Sequence, residues 1–247
     1  MLYLVAEQLK INCYLKTNII IPCYNPQEHW EIDFVPMSFE LADYIKNLSD
    51  IKIILVDDGS TKNFDSKVET YLKQKNDKIE VIRLEQNQGK GAAIKQGILS
   101  SKADFYVFTD IDFPFGLESI KEVINKLKEG SEVVMTNRGS EYPKLLPFKR
   151  RIITFMIRKF NRYLFRLEYV DTQSGLKGFN QKAHELFGKS KINGFVFDIE
   201  LVLNAKKMQL KVSEVPVKCI DNIEFTDFRK SVILAEFFNF IKLVLKN

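Results

Sequence analysis

Two aspartates two positions apart, Asp110 and Asp112, follow a short apolar run from Phe105 to Thr109 that reads as a strand. Side chains alternate along extended chain, so both carboxylates can face one crevice. Hard oxygen donors of this kind suit Mg²⁺ or Mn²⁺, which bridge diphosphate oxygens and neutralise charge building on a nucleotide leaving group. The same Asp-x-Asp spacing also caps helices, so alone it is ambiguous. Asp57-Asp58-Gly59-Ser60 reads two ways as well. It could be a turn with Ser60 or Thr61 capping the next helix, or a carboxylate pair accepting hydrogen bonds from a nucleotide's base or ribose. Asn87-Gln88-Gly89-Lys90-Gly91-Ala92-Ala93 opens a helix, and its two glycines permit close approach, either for helix packing or for a phosphate at the helix N-terminus. It has neither the P-loop spacing nor the Gly-x-Gly-x-x-Gly dinucleotide fingerprint.

The elements that must carry these residues alternate in type. Asn18 to Pro22, Ile51 to Val56, Ile79 to Leu84 and Phe105 to Thr109 are short apolar runs expected to be strands. Ser38 to Leu48, Asp65 to Gln74 and Lys90 to Ser100 between them carry helical spacing. Such alternation predicts an α/β fold, a mainly parallel central sheet with helices on both faces. Ligands of such sheets lie beyond the carboxyl ends of the strands. Pro22-Cys23-Tyr24-Asn25, the Asp57-Asp58 pair and the Asp110-Asp112 pair all fall just there. In the second half, strands are expected at Ser131 to Thr136, Gly175 to Asn180 and, at an edge, Lys211 to Lys218. Helices are expected at Phe148 to Leu167, within Phe197 to Met208 and at Ser231 to Leu245.

Composition narrows the class. With 45% hydrophobic and 28% charged residues and only 7 Pro and 11 Gly, the chain is globular rather than disordered. Its three cysteines, Cys13, Cys23 and Cys219, are too scattered for a disulfide framework or a zinc site, which points to a reducing compartment. His29 and His184 lie far apart and read as surface or structural residues. Met1 to Leu15 has no basic n-region or small-residue cleavage site, so no signal peptide is expected. No apolar run reaches the roughly 18 to 20 residues of a spanning helix. The net charge of +5 is uneven: Lys144 to Arg166 holds eight basic residues and no acidic one, which leaves the remainder net negative.

Pro22-x-Tyr24-Asn25, Asp57-Asp58-Gly59-Ser60, Asn87-x-Gly89-Lys90-Gly91 and Asp110-x-Asp112 occur in this order, each at an expected strand or helix end. The sequence resembles the family 2 glycosyltransferases of the GT-A fold from about Asn18 to Lys218. Asp171-Thr172-Gln173-Ser174-Gly175-Leu176-Lys177-Gly178-Phe179 and Phe197-Asp198-Ile199-Glu200 are similar to the dolichyl-phosphate glucosyltransferase and mannosyltransferase branch. The resemblance implies a single Rossmann-like domain, with residues 17–138 as the nucleotide-sugar-binding half and 139–247 as the acceptor-binding half. It implies that Pro22, Tyr24, Asn25, Asp57, Asp58, Lys90 and Asp110 bind the nucleotide sugar, UDP-glucose first and GDP-mannose next. Asp110 and Asp112 would hold Mg²⁺ or Mn²⁺, and Arg138, Arg150 and Arg151 would meet the phosphate of a polyprenyl-phosphate acceptor. Asp112, Arg138 and Asp198 form the expected catalytic set. Many relatives have Glu after the Tyr-Asn pair, where this chain has Pro26.

A phosphate monoester acceptor is largely ionised at neutral pH, because its second pKa is about 6, so direct displacement with inversion needs little help from a base. A sugar hydroxyl acceptor would need one, and Asp198 is the candidate; its other reading is an N-cap for a helix beginning near Ile199. Basic residues from Lys144 to Arg166 are interleaved with Leu145, Leu146, Phe148, Ile152, Phe155, Met156, Phe160 and Phe165. That pattern fits either an anionic membrane surface, hence a peripheral protein on a cytoplasmic face, or a core-packed helix with a solvated basic side. Nucleic acid is not an expected partner, since no recognised nucleic-acid motif accompanies the basic stretch. The competing readings are a polysaccharide-forming glycosyltransferase and a non-catalytic basic binding module.

Overall fold

The computed structural model describes residues 15–169, 171–220 and 230–246, so Cys13 and nearly all of the segment read above for a leader lie outside the described residues. Strands β1 (Lys16–Cys23), β2 (Asp50–Asp57), β3 (Ile79–Arg83), β4 (Phe105–Phe108), β5 (Val133–Asn137), β6 (Lys177–Asn180) and β7 (Val212–Pro216) form one sheet. Their order is β3-β2-β1-β4-β6-β5-β7, and β6 alone runs against its neighbours. The continuous apolar runs follow from burial on both faces. Ile19, Ile21, Ile53, Leu55 and Val107 enter one core, while Ile20, Ile54, Val56, Tyr106 and Phe108 enter the other. Period-two alternation assigns each residue to its side. Each fully buried aliphatic contributes roughly 1.5–3 kcal/mol.

Helices α1 (Trp30–Ile45), α2 (Ser66–Lys75), α3 (Lys90–Leu99), α4 (Gly116–Lys128), α5 (Tyr142–Leu145), α6 (Phe148–Tyr163), α7 (Ala183–Lys189), α8 (Phe197–Lys207) and α9 (Lys230–Lys246) complete the described chain. Several depart from the sequence pattern for identifiable reasons. α1 begins at Trp30, ahead of Ser38, with Pro36 inside it. Trp30 packs on Phe34 and Phe64, and this burial outweighs the lost amide of Pro36. Between Asp112 and Ser131, where the pattern above places no element, α4 buries Ile120, Val123, Ile124 and Leu127 at helical spacing. The short α5 and α7 were equally invisible to periodicity. α6 stops at Tyr163 rather than Leu167, after which Phe165 and Leu167 turn into the core.

The caps differ too. α2 is capped by Asp65, which accepts from the Lys67 and Val68 amides at 2.9 Å, not by Ser60 or Thr61. α8 starts at Phe197, so Asp198 lies in its first turn and is not its N-cap. α6 is not core-packed: of its side chains only Asn161 is buried, while Phe148, Phe155 and Tyr163 are 74%, 64% and 69% exposed. No helix among the described residues is long and apolar enough to cross a membrane.

Candidate active site

Because β1, β2, β4 and β5 are parallel, their carboxyl ends share one edge of the sheet, and antiparallel β6 adds its amino end there. Cys23, Asp57, Phe108, Asn137 and Lys177 therefore mark the rim from which the functional side chains rise. Pro22 belongs to the strand itself, in register with Val56. Tyr24, just beyond it, is about half exposed.

The two loop aspartates act as braces. Asp57 is fully buried, takes Arg83 Nε on one oxygen at 2.9 Å and the Ser60 amide on the other at 3.0 Å. The carboxylate has no exposed surface in this arrangement. Asp58 accepts from Asn87 Nδ2 and from the Gln88 and Gly89 amides, at 2.9, 2.8 and 2.8 Å. Burial pushes its carboxyl above the usual range, and the two amides oppose that shift. Asn25, in the left-handed region at φ 45°, gives its side-chain oxygen to the Thr61 and Lys62 amides. Three backbone segments, around Asn25, Ser60 and Asn87, are thereby held in one frame.

The N-terminus of α3 is not a free phosphate cradle. The Gly91 and Ala92 amides both donate to the Asn193 carbonyl, at 2.8 and 3.3 Å. Gly89, at φ +102°, tolerates that carbonyl at 2.6 Å from where a Cβ would stand. The glycines serve packing, and what α3 offers the cleft is the Lys90 ammonium, which pairs with Asp110. Burial works against the charge on Lys90, but Asp110, with smaller help from Asp198 and Asp112, holds its pKa above the usual value. Asp112 is pushed up by burial and by the charge of Asp110. Gly175 leaves room for Asp110: a Cβ there would collide with its Oδ2.

Asp198 lies beneath this group. Lys177, fully buried at the start of β6, donates to Asp198 Oδ1 at 2.7 Å and to the Ser174 carbonyl at 2.5 Å. Burial pushes the carboxyl up and the ammonium down, and the charge of each partner opposes the other's shift. Asp198 is thus engaged by Lys177 on Oδ1, and its surface is small.

A second charged group stands at the end of β5. Arg138 grips Asp171 in fork geometry, Nε to Oδ2 at 3.0 Å and Nη2 to Oδ1 at 2.6 Å, and lies 4.0 Å from the Tyr142 ring centre. Arg158, from α6, places Nη2 3.2 Å from the same carboxylate, and its buried Nε has no hydrogen-bond partner among the described residues. Burial opposes the charge on Asp171, but the Arg138 hydrogen bonds and charge win and hold its pKa below the usual range. Cys219 joins the two groups: burial raises its thiol, and the charges of Arg138, Asp171 and Asp112 all act on it. Arg151, expected at an acceptor phosphate, instead spends its guanidinium on the Pro143, Lys144 and Leu146 carbonyls at the end of α5. Arg150 is half-buried on the first turn of α6.

Sequence reasoning passed over Lys177, Asp171 and Arg158 as individual actors. The signal was a charged residue inside an apolar setting, Lys177 in a strand and Arg158 in an amphipathic helix. The partner that makes each of them useful is remote in sequence. Among the described residues no group of three or more His, Cys, Asp or Glu assembles to hold a metal ion.

A mainly parallel sheet of this order with an acidic pair after β4 defines a GT-A glycosyltransferase fold. The chain belongs to glycosyl transferase family 2, whose family model matches residues 18–187. It is 29% identical to a dolichyl-phosphate beta-glucosyltransferase of Dictyostelium discoideum, over 91% of this chain and 72% of that protein. It is 27% identical to the protein of that name in Saccharomyces cerevisiae, over 81% of this chain and 65% of that one. The Homo sapiens protein of the same name is also 27% identical, with 81% and 66% covered, so the chain spans about two thirds of the length of the yeast and human relatives. Among solved structures, mannosyl-3-phosphoglycerate synthase from Rubrobacter xylanophilus superposes with a TM-score of 0.67 at 15% identity, over 94% of this chain and 76% of that one. Glucosyl-3-phosphoglycerate synthase from Mycobacterium tuberculosis, in complex with Mn²⁺, UDP and glucosyl-3-phosphoglycerate, gives 0.60 at 16% identity, over 94% and 78%. At these identities the likeness is one of fold.

Proposed function

We propose that the protein transfers a hexose, glucose before mannose, from a nucleotide sugar to the phosphate of a polyprenyl-phosphate lipid, with inversion at the anomeric carbon. The observation that carries this reading is the pair of guanidiniums, Arg138 and Arg158, sharing the single carboxylate of Asp171 near the acidic cleft. Two cations on one anion leave net positive charge, and the buried Nε of Arg158 is a donor with no acceptor among the described residues. An anionic oxygen cluster such as a phosphate monoester completes such a site, and arginine recognises it by fork geometry. The dolichyl-phosphate relatives, matched along most of this chain, support the same acceptor class.

On the donor side, Asp57, Asp58 and Asn25 would set the backbone around the nucleoside, with Tyr24 at the rim and Lys90 toward the diphosphate. Asp110 and Asp112 fit a hard divalent cation: their donors are oxygens, and a cation would relieve the Asp110 charge that, after burial, raises Asp112. Mg²⁺ or Mn²⁺ bound there would neutralise charge on the departing nucleoside diphosphate. The acceptor phosphate is its own nucleophile and needs no general base. Asp198, locked to Lys177, does not favour the sugar-hydroxyl alternative. The basic, apolar surface of α6 would rest on an anionic bilayer and bring the lipid phosphate to Arg158 on the same helix.

Purified protein incubated with labelled UDP-glucose or GDP-mannose, Mg²⁺ or Mn²⁺ and a short polyprenyl phosphate should place label in the lipid phase, and chelator should suppress it. Donor binding without lipid labelling would move the acceptor assignment to another class, and absence of both would sink the reading.

A further inference from the structure

The loop between α7 and α8 is held from three sides. Glu200 of α8, almost fully buried, accepts from Ser190 Oγ and from the Lys191 and Ile192 amides at 2.7, 2.9 and 2.9 Å. Lys95 of α3 donates to the Ser190 carbonyl at 3.0 Å. Glu236 of α9 accepts from the Val196 amide at 2.8 Å, and its carboxylate lies so close over Gly194 that any Cβ there would collide with it. Between these anchors sits Asn193, whose carbonyl takes the Gly91 and Ala92 amides at the first turn of α3. That turn carries Lys90 to Asp110.

We infer that Glu236 is a positioning residue of the donor site, acting from the C-terminal helix through residues 193–196 on the first turn of α3 and so on Lys90. The physical chain is short: carboxylate, loop amide, loop carbonyl, helix amides, lysine. The first-turn amides of a helix have no partner within it, so their direction is set by whatever caps them, here a loop carbonyl. Moving that carbonyl re-aims the first turn, and a small displacement of a binding cation costs affinity steeply. Glu200 fixes the N-terminal side of the loop and leaves Glu236 to fix the other. The rest of α9 is anchored separately, Phe240 against Phe160 and Phe165 and Leu243 in the core, so the tether can be cut without removing the helix.

This inference rests on the proposed donor chemistry only for its kinetic readout. Glu236→Ala should raise the KM for the nucleotide sugar about tenfold, the loss typical of one hydrogen bond to a charged group, with kcat changed less than about twofold. Glu236→Gln keeps an acceptor oxygen for the Val196 amide and should restore most of the loss. Hydrogen exchange should speed up in Glu236→Ala at the amides of Gly91 and Ala92 as well as at Val196. Gly194→Ala, which displaces the same carboxylate, should give the same pattern and add little when combined with Glu236→Ala. It carries the test if Glu236→Ala does not fold. Phe240→Ala is the control for loosened helix packing and should leave donor KM near wild type. Unchanged exchange at Gly91 and Ala92, or an equal KM effect from Phe240→Ala, overturns the inference. If the wild-type protein turns over no nucleotide sugar, the functional reading fails instead, and the exchange pattern alone decides the tether.

Discussion

Asp171 shows how one buried carboxylate can hold two guanidiniums together. It is 2% exposed in its side chain and faces two arginines. Removing its charge leaves Arg138 and Arg158 buried without an anion, a change that costs about 3–5 kcal/mol when a buried pair is broken. Asp171→Asn should therefore lower stability by about that amount in chemical unfolding at pH 7. The pH dependence has a fixed sign. The folded pKa of Asp171 lies below the unfolded value of about 3.9, so its stabilisation is fully present above that pH and fades as pH falls through the folded pKa. The difference between wild type and variant should be flat near neutrality and shrink below about pH 4. A difference that grows on acidification would show that the arginines do not hold this carboxylate ionised.

At the scale of elements, α6 shows most of its apolar side chains to the outside, with Phe148, Phe155 and Met156 exposed. Phe155, Met156, Lys159, Phe160, Tyr163 and Leu164 line an open apolar hollow of about 560 Å³. Lys149, Lys159 and Arg162 add positive charge along the same helix. Such a helix gains from a bilayer surface both by apolar burial and by attraction to anionic headgroups. The protein should sediment with anionic vesicles, less so at high salt, and Phe148→Ser with Phe155→Ser should weaken this without lowering Tm appreciably, because both rings are mainly exposed. Protein that stays in the supernatant with anionic vesicles at low salt would remove α6 from the acceptor route.

For the molecule as a whole, the proposed donor site would join strands β1, β2 and β4 with α3 and, through the loop at Asn193, α8 and α9. A ligand that binds only the folded state stabilises all of it by about 2.7 kcal/mol at a hundred times its Kd. For a chain of this size that is roughly 5–10 °C in Tm. UDP with Mn²⁺ should produce such a shift, UDP alone a smaller one, and Asp112→Ala should erase the difference between them. Equal shifts with and without Mn²⁺ in the wild type would take the cation away from Asp110 and Asp112.

Much of this was readable in the order of residues. The apolar runs at Ile19 to Ile21 and Ile53 to Val56, alternating with stretches of helical spacing, pointed to a doubly covered, mainly parallel sheet with a cleft at its carboxyl edge, because such runs are buried on both faces. Asp110 and Asp112 could be placed just after a strand by the polar break in the apolar run, but not oriented by period two, because β4 ends at Phe108 and the Phe113 amide closes a turn on the Asp110 carbonyl. Local patterns carry such information because strand and helix geometry repeat over a few residues. Which charge meets which is a different matter. Lys177 with Asp198, Arg158 with Asp171 and Glu236 with the Val196 amide are separated by 21, 13 and 40 residues. The burial of Asp57 and the diversion of Arg151 to backbone carbonyls likewise follow from neighbours brought in by the fold. Coulomb and hydrogen-bond energies act over a few ångströms of space, whatever the distance along the chain, so only the tertiary structure could assign these partners.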